Sequence, residues 1–405
     1  MQKFICHTPF YSKNEGRMFE RGDWTLIENN NVMNEDGKTP STPVALREVG
    51  TFTDFSFTQF APTLDWGKLK AGDRVLIHRI GGLGDITHAA PIVYELEERG
   101  AVIEFCYRPD FTLLEPFLFG TECEHSTRSR QDYGVVPVEA DWTVNLESCV
   151  EANDKPIPVL DLYLQRTLNP PAALLDPANR MTGGKYITKC RANIEAFLEE
   201  ANIEPGEQHD LVLSPYSTGP VRSAHTLANL PTPFLREHSA VMIGVAEPVH
   251  TSPIPIYDKL EPARLYQMLL NSRLVVTADN GVSHLAYWLG LPMIAIYSMM
   301  DWRARLYPSK HVCIVNASDL CPMAPCWWQN MICPLLMGAN MQVPVCSALM
   351  YLASSKIAEL IAMRIKPGDK TFLEVNGASL AGMPDFVVHR KGLRNADGSP
   401  YEAHS

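Results

Sequence analysis

The chain has 405 residues, of which 46% are hydrophobic and 20% are charged. This length exceeds one ordinary core and predicts two domains of roughly 150 to 200 residues each. With 35 basic and 46 acidic residues the net charge is −11, which disfavours nucleic acid as a partner because polyanions are repelled. No apolar run reaches the roughly 18 to 20 residues of a membrane span, and the N-terminus lacks the apolar core of a signal peptide, so we expect a cytoplasmic protein.

The first α/β series begins after an irregular start. Residues 1–70 mix aromatic residues with Asn, Gly and Pro, and they predict an N-terminal extension to which we assign no chemistry. The next segment, "DRVLIHRI", is a continuous apolar strand, and a glycine-rich loop, the helix "IVYELEERG" and the strand "AVIEFCYRP" follow it. Strand, helix and strand at this spacing predict a parallel, right-handed unit that opens a doubly wound sheet.

A second series begins after "EPGEQHD", where Pro and Gly interrupt a charged run. The apolar strands "LVLSPYS", "AVMIGVAE", "RLVVTA" and "LPMIAIYS" alternate there with helical segments. Two α/β series joined by a short linker predict two Rossmann-like domains that face a cleft. We place the first domain at residues 71–205, the second at 206–360 and a C-terminal tail at 361–405.

The loop "GGLGD" ends in a carboxylate, Asp85. Gly82 and Gly84 let the backbone approach a ligand closely, because glycine has no Cβ. Pro91 is tolerated only in the first helical turn, so the helix should begin near residues 87–90 or be kinked. Asp85 would then lie in the loop ahead of a helix, where the helix dipole stabilises its charge. Two interpretations stay open for it: a general base that faces a cleft, or a cap bonded to its own backbone.

A second loop, "ADNGVSH", lies between a strand and a short helix. Asp279, Asn280 and Gly281 form the turn, which predicts free backbone amides near residues 281–283 and hence an anion site. His284 follows in the first helical turn, where it can donate a hydrogen bond to the same anion. A bound diphosphate fits this pattern. The alternative is a helix capped by Asp279 with His284 packed inside.

Together, the two loops make the chain resemble the ADP-heptose:lipopolysaccharide heptosyltransferase family, which is glycosyltransferase family nine and has the GT-B fold. "GGLGDITHAAP" is similar to the family's Gly-Asp loop and its helix with an early proline. "ADNGVSHLAYWLGLPMIAIY" is similar to its Asp-Thr-Gly-x-x-His motif, small-residue helix, Gly-x-Pro and apolar strand. The resemblance covers about residues 73–360. It implies an inverting enzyme that moves a heptose-like sugar from a nucleotide diphosphate donor, with ADP-heptose expected, to a saccharide or protein hydroxyl.

The resemblance also implies roles for the residues of both loops. Asp85 would be the general base that takes the proton of the acceptor hydroxyl. Asp279, Gly281 and His284 would bind the diphosphate and ribose region of the donor. Asn280 stands where the family usually has Thr, and its amide can donate a hydrogen bond.

A third segment, "LSPYSTGPVRSAHTL", follows the first strand of the second domain. The family places small hydroxyl residues and one basic residue there, which gives Ser217, Thr218 and Arg222 to the donor. For Arg222, an ordinary surface arginine stays open as the alternative.

Four of the ten cysteines are clustered within 26 residues: Cys321, Cys326, Cys333 and Cys346. In a reducing compartment these are thiols or metal ligands rather than disulfides. Four thiolates can surround one tetrahedral zinc or iron ion, with no position left for catalysis. Relatives in the family, among them bacterial autotransporter heptosyltransferases, carry a cysteine cluster here, which binds iron in some of them. The resemblance therefore favours a structural metal, and reduced cysteines in an apolar loop are the alternative. No organic cofactor is expected.

Two other functions stay open. One is a glycosyltransferase that acts on modified nucleic acid bases, as some bacteriophage enzymes do. The other is a catalytically inactive relative that binds a nucleotide sugar or scaffolds an assembly. The N-terminal extension and the cysteine loop can build an interface, so a homo-oligomer also stays open.

Overall fold

The chain divides into two compact units, residues 1–177 and 178–405. The computed structural model describes residues 62–79, 81–107, 109–120, 140–146, 149–150, 156–203, 206–217, 222–244, 253–258, 260–321, 324, 326, 346–368 and 371–381, and the backbone of six short strands between residues 2 and 128. Thr218 and Cys333 lie outside the described residues, so their predicted roles are not tested. The predicted domain boundaries likewise stay predictions.

The strands of the first unit form small antiparallel sheets and one parallel sheet. They are β1 Gln2–Ile5, β2 Phe10–Ser12, β3 Arg17–Phe19, β4 Trp24–Glu28, β5 Asn31–Met33, β6 Arg74–His78, β7 Val102–Cys106, β8 His125–Arg128 and β9 Trp142–Asn145. Strands β1, β4 and β5 pair in one antiparallel sheet, and β2 pairs with β3. Between residues 2 and 33, the described parts of the N-terminal extension are therefore short antiparallel strands.

The parallel sheet of the first unit has the strand order β8-β7-β6-β9. Val75 of β6 lies opposite Ile103 on one side and Trp142 on the other. Residues 75–78 are buried, as expected for a parallel strand covered on both faces. The strand order reverses between β6 and β9, and this reversal positions the first loop.

The helices of the first unit are short. They are α1 Leu83–Thr87, α2 Ala90–Glu98, α3 Glu115–Phe119, α4 Val159–Leu164 and α5 Ala172–Leu175, with a 3-10 helix at Pro109–Leu114. The helix start predicted near residues 87–90 is confirmed: α2 begins at Ala90 with Pro91 in its first turn, and the separate short helix α1 ends at Thr87. A proline deeper inside one continuous helix would clash with the preceding turn.

The second unit is a seven-stranded parallel sheet with helices. The strands are β10 His209–Ser214, β11 Ala240–Ile243, β12 Ile256–Tyr257, β13 Ser272–Ala278, β14 Met293–Tyr297, β15 Val312–Asn316 and β16 Leu373–Asn376. The helices are α6 Lys185–Glu200, α7 His225–Ala228, α8 Thr232–Glu237, α9 Pro262–Leu270, α10 Gly281–Trp288, α11 Ser347–Met350 and α12 Ser354–Ile365. Short 3-10 helices lie at Pro177–Arg180, Trp302–Ala304, Ser318–Leu320 and Gly377–Leu380.

The strand order of this sheet is β12-β11-β10-β13-β14-β15-β16. In sequence order this is three, two, one, four, five, six, with a seventh strand at the edge, which is the Rossmann order. The predicted α/β fold class is therefore confirmed. The predicted C-terminal tail supplies β16, so the second sheet continues beyond residue 360. No helix in the described ranges is long and apolar enough to cross a membrane.

Buried polar contacts fasten the segment ahead of α6 to the second unit, and we call them the Arg180 clasp. Arg180 donates from Nη1 to the Tyr307 hydroxyl at 2.8 Å, and its carbonyl accepts from the Tyr287 hydroxyl at 2.6 Å. The backbone N–H of Thr182 donates to Ser309 Oγ at 2.7 Å. These contacts place α6 with the second unit.

Helix α6 itself packs on α9 and beside α10. The ring of Phe197 meets Tyr266 edge-on, with centroids 6.4 Å apart. At the end of α10, Gly290 has φ +67°, and a Cβ there would lie only 2.8 Å from Ile187. Glycine thus permits both the turn and the close approach of α6.

Candidate functional site

Both polar loops lie where the strand order of their own sheet reverses. The first follows β6, between β7 and β9, and the second follows β13, which pairs with β10. In open α/β sheets, the crevice beyond the carboxyl ends of the strands at such a reversal is the usual ligand site. Each unit therefore has one candidate site, and each site holds one of the acids singled out from the sequence.

The Asp85 carboxylate is paired with a positive charge and a backbone N–H of its own unit. Its Oδ2 atom lies 2.9 Å from Arg79 Nη2 and accepts the Gly82 N–H at 3.0 Å. The Tyr163 hydroxyl donates to the Asp85 carbonyl at 2.8 Å. The side chain keeps 17% of its surface exposed. Asp85 is thus held in place while part of it stays accessible.

The position of Asp85 corrects one expectation. It is the third residue of α1 rather than a loop residue ahead of the helix, and its side chain accepts the N–H of Gly82, the residue that precedes the helix. Asp85 therefore does bond to its own backbone, as the capping interpretation predicts. Gly84 is buried inside α1, where its carbonyl accepts from Thr87 Oγ1 at 2.7 Å.

Arg79 is a residue of this site that the sequence reasoning missed. Its side chain has no exposed surface, and Nη1 donates to the Leu146 carbonyl at 3.4 Å. A Cβ on Gly81 would lie 2.5 Å from the Nε and Nη2 atoms of this guanidinium. Gly81 therefore makes room for an arginine. The available signal was a charged residue directly after the apolar strand "VLIH".

Asn280 organises the second loop through both ends of its amide. Its Oδ1 atom accepts the N–H groups of Val282 at 3.0 Å and Ser283 at 3.2 Å. Its Nδ2 atom donates to the carbonyls of Ser214 at 3.0 Å and Tyr216 at 2.9 Å. The prediction of free amides is therefore wrong for Val282 and Ser283, because the Asn280 side chain occupies them. Asn280, not Asp279, caps α10.

The Asp279 carboxylate is buried and incompletely paired. Among the described residues, neither of its oxygens has a hydrogen-bond partner. Arg222 Nη1 lies 3.7 Å from Oδ2, and His284 Nε2 lies 3.9 Å from Oδ1, which are ion-pair distances beyond hydrogen-bond range. The structure thus brings together Arg222, Asp279 and His284. Arg222, 28% exposed, is part of this cluster and not an ordinary surface arginine.

Further polar groups lie near the carboxyl ends of strands in the same sheet: Ser217 follows β10, and Tyr297 ends β14. The Ser217 hydroxyl is buried and has no hydrogen-bond partner among the described residues, while the Ser217 N–H donates to Ser223 Oγ at 3.1 Å. Burial and, after it, the negative charge of Asp279 raise the pKa of the Tyr297 phenol. Gly281 is the first residue of α10. Buried polar atoms without internal partners are rare, so this arrangement is suited to a ligand that supplies them.

Three of the four clustered cysteines lie in the apolar core of the second unit. Cys321 and Cys346 are buried in it, and Cys326 packs against it and donates its N–H to the Met299 carbonyl at 2.8 Å. Burial raises the pKa of the Cys346 thiol. In the part of the chain that the structure describes, no three His, Cys, Asp or Glu side chains form a group that could hold a metal. The described thiols alone therefore do not fit a metal ion, and the predicted site depends on Cys333.

The chain matches no family model and no curated protein. Among solved structures it is similar to a glycosyl transferase family 9 protein from Veillonella parvula, with 12% identity, 73% of this chain and 98% of that chain covered, and a TM-score of 0.47. It is similar to the E. coli heptosyltransferase WaaC with ADP, with 13% identity, coverage of 60% and 93%, and a TM-score of 0.41. It is also similar to the iron-containing dodecameric glycosyltransferase TibC from enterotoxigenic E. coli, with 9% identity, coverage of 76% and 76%, and a TM-score of 0.38.

The family that the two loops resemble is therefore also the family of similar solved structures.

Proposed function

We propose that the chain is a glycosyltransferase that uses a nucleoside diphosphate sugar as donor. The observation that carries this proposal is the buried Asp279 carboxylate, which lies between Arg222 and His284 without a hydrogen bond among the described residues. A simple anion would be repelled by Asp279, and a neutral sugar would leave Arg222 without a new partner. A nucleotide sugar has both the negative diphosphate and the hydroxyl groups that such a mixed site needs.

Within this site, each residue has a role that follows from its chemistry. Arg222 and His284 bind the diphosphate, because both can donate hydrogen bonds to an anion. Asp279 and the Ser217 hydroxyl bind sugar hydroxyls. ADP-heptose is the first donor to test, because the resemblance of both loops points to it. The acceptor is a hydroxyl of a saccharide or a protein.

The first unit supplies the base. Asp85 takes the proton of the acceptor hydroxyl, and the acceptor oxygen attacks the anomeric carbon while the bond from that carbon to the diphosphate oxygen breaks. The proton stays on the Asp85 carboxyl, and the electron pair leaves with the diphosphate. Arg222 and His284 stabilise the charge that develops there. Attack opposite the leaving group inverts the anomeric centre.

Thermal unfolding with a set of nucleotide sugars tests the donor assignment. A donor at 100 times its dissociation constant should stabilise the protein by about 2.7 kcal/mol. Arg222→Met should abolish the shift. Arg236→Met is the matched control, because Arg236 is exposed on α8. Equal shifts in both variants would remove Arg222 from the donor site.

Turnover then separates the proposal from its alternatives. Wild-type protein should transfer the sugar to an acceptor or, slowly, to water. Donor binding without any turnover would indicate an inactive sugar-binding protein. Absence of a donor shift together with strongly salt-dependent DNA binding would favour the nucleic-acid enzyme.

For the cysteine cluster we propose a structural zinc or iron ion that Cys333 completes. Support comes from Cys321 and Cys346, which are buried in one hydrophobic core, and from Cys326, which packs against that core. Elemental analysis of purified protein should find about one ion per chain, and Cys333→Ser should lose it. Less than about a tenth of an ion per wild-type chain would contradict the site and leave reduced thiols in an apolar core.

A further inference from the structure

We infer that Arg79 is a positioning residue for Asp85: it fixes the orientation of the carboxylate and keeps it ionised, and Gly81 is required to accommodate it. This inference rests on the proposed function, in which Asp85 is the general base. Arg79 itself touches neither donor nor acceptor in this scheme. It acts through the carboxylate.

The geometry of the pair is that of a fixed charge. Arg79 has no exposed side-chain surface, and its two terminal nitrogens have different partners. Nη2 lies 2.9 Å from Asp85 Oδ2, and Nη1 donates to the Leu146 carbonyl beyond β9 at 3.4 Å. The guanidinium therefore connects the Asp85 carboxylate to Leu146, which directly follows β9, the strand that pairs with β6 where the strand order reverses.

The charge of this group is also constant. A guanidinium stays protonated throughout the range in which proteins are folded, whereas a lysine in the same place can lose its proton. An adjacent positive charge favours the ionised carboxylate, and only the ionised form can take a proton from the acceptor. The same contact stops the carboxylate from rotating away.

Gly81 gives an independent observation for the same conclusion. A Cβ at this position would lie 2.5 Å from two guanidinium nitrogens and 2.6 Å from the central carbon. Such a contact normally makes a flexible side chain move. Arg79 cannot move cheaply, because it is fully buried and bonded at both ends. Gly81→Ala should therefore displace the guanidinium and reproduce the loss of Arg79.

The test compares Arg79→Met, Arg79→Lys and Gly81→Ala with two controls, Arg74→Met and Gly67→Ala. Arg74 is more than half exposed and lies 3.9 Å from Glu104, and a Cβ on Gly67 would make only an ordinary contact of 3.4 Å. Arg79→Met and Gly81→Ala should lower kcat about 10- to 100-fold, with the donor KM changed less than about twofold. Arg79→Lys should recover about tenfold of this loss, and the controls should match wild type.

Two readouts exclude a merely structural role. The acid limb of the kcat/KM profile should move to higher pH by about one unit in Arg79→Met, and carboxyl NMR of Asp85 in the ligand-free protein should show the same displacement. In an Asp85→Asn background, Arg79→Met should have no further effect on kcat. An unmoved Asp85 titration, or a further loss in the double variant, would overturn the inference.

These outcomes separate the inference from the proposed function. Full activity of Asp85→Asn would remove the base assignment, but it would not affect the shifted NMR titration of the Asp85 carboxyl in Arg79→Met. An unchanged NMR titration would remove the role of Arg79 and leave the base assignment untouched. The NMR measurement needs no substrate, so it decides the inference even without a known acceptor.

Discussion

The two units each place one acid at the reversal of a parallel sheet, and they treat the two acids in opposite ways. Asp85 has a guanidinium nitrogen at 2.9 Å and a backbone N–H at 3.0 Å. Asp279 is more buried, with 5% of its side chain exposed against 17%, yet the cationic atoms nearest to it among the described residues lie at 3.7 and 3.9 Å. Within the described ranges, the protein satisfies the more exposed acid and leaves the more buried one incompletely paired.

This difference separates two kinds of functional carboxylate. An acid whose charge is matched by its own protein keeps its position and its ionisation before a substrate arrives, as a base requires. A buried acid without hydrogen bonds is costly in the ligand-free protein and gains most from a ligand that supplies donors. Burial alone would have predicted the opposite, namely that the more buried Asp279 is the better-paired acid.

The largest expected effect is on catalysis. Asp85→Asn should lower sugar transfer about 10²- to 10⁴-fold, because a neutral amide cannot take the acceptor proton. Its donor-induced thermal shift should persist, whereas Asp279→Asn should lose most of that shift. Turnover and thermal unfolding measured on both variants check this. Normal donor binding by Asp279→Asn, or turnover at the wild-type rate by Asp85→Asn, would contradict the different roles assigned to the two acids.

The second effect is on stability, and its sign should differ between the two acids. Asp85→Asn leaves the Arg79 charge buried without its carboxylate and should cost about 3 kcal/mol of unfolding free energy. Asp279→Asn removes a buried charge that has no hydrogen bond to any described residue and should gain about 1 kcal/mol. Urea unfolding at constant pH measures both. The exposed Asp176→Asn is the control, and equal signs for the two variants would erase the distinction.

The pH of these measurements sharpens the comparison. Burial lowers the pKa of His311, which contacts Thr182 Oγ1 and Ser309 Oγ, to about 4. As pH falls below the unfolded value of about 6.5, the unfolded chain binds a proton that the folded chain refuses, so stability falls until about pH 4. The full loss from this histidine is about 3 kcal/mol.

Urea unfolding at pH 7 and pH 4.5 measures this loss. In His311→Gln, the difference in unfolding free energy between the two pH values should be smaller by the contribution of His311. Burial lowers the pKa of His78 in the same direction, so a residual slope should remain. An unchanged slope in His311→Gln would contradict the assignment. The two acids are best compared at pH 7 or above, where this contribution is constant.

The last effect concerns the hydrogen bonds that hold the second loop. Asn280→Thr should cost about 2 kcal/mol, because Thr can cap α10 but cannot donate to both the Ser214 and Tyr216 carbonyls. Thermal or urea unfolding measures it, with the exposed Asn229→Thr as control. An unchanged unfolding free energy in Asn280→Thr would show that the loop keeps its shape without these bonds.

The sequence was sufficient for what depends on local pattern. Apolar strands alternating with helices predicted two parallel α/β series, and Pro91 predicted the break between α1 and α2. It was insufficient where distant strands meet. Arg79 reaches a carbonyl 67 residues away, and Asn280 reaches Ser214 across 66 residues. Neither partner can be read from neighbours in the chain, so the sequence alone reveals neither the role of Arg79 nor the occupied amides beside Asn280.

The Arg180 clasp has a practical consequence for expressing the second unit separately. A fragment cut at the apparent linker near residue 206 would lack both the clasp and α6. The Tyr287 hydroxyl would lose its acceptor, and Tyr266 would lose the ring of Phe197. Such a truncation should aggregate. A fragment that starts at residue 178 keeps the Arg180 clasp and α6, so it is the better choice for titrating donors in isolation.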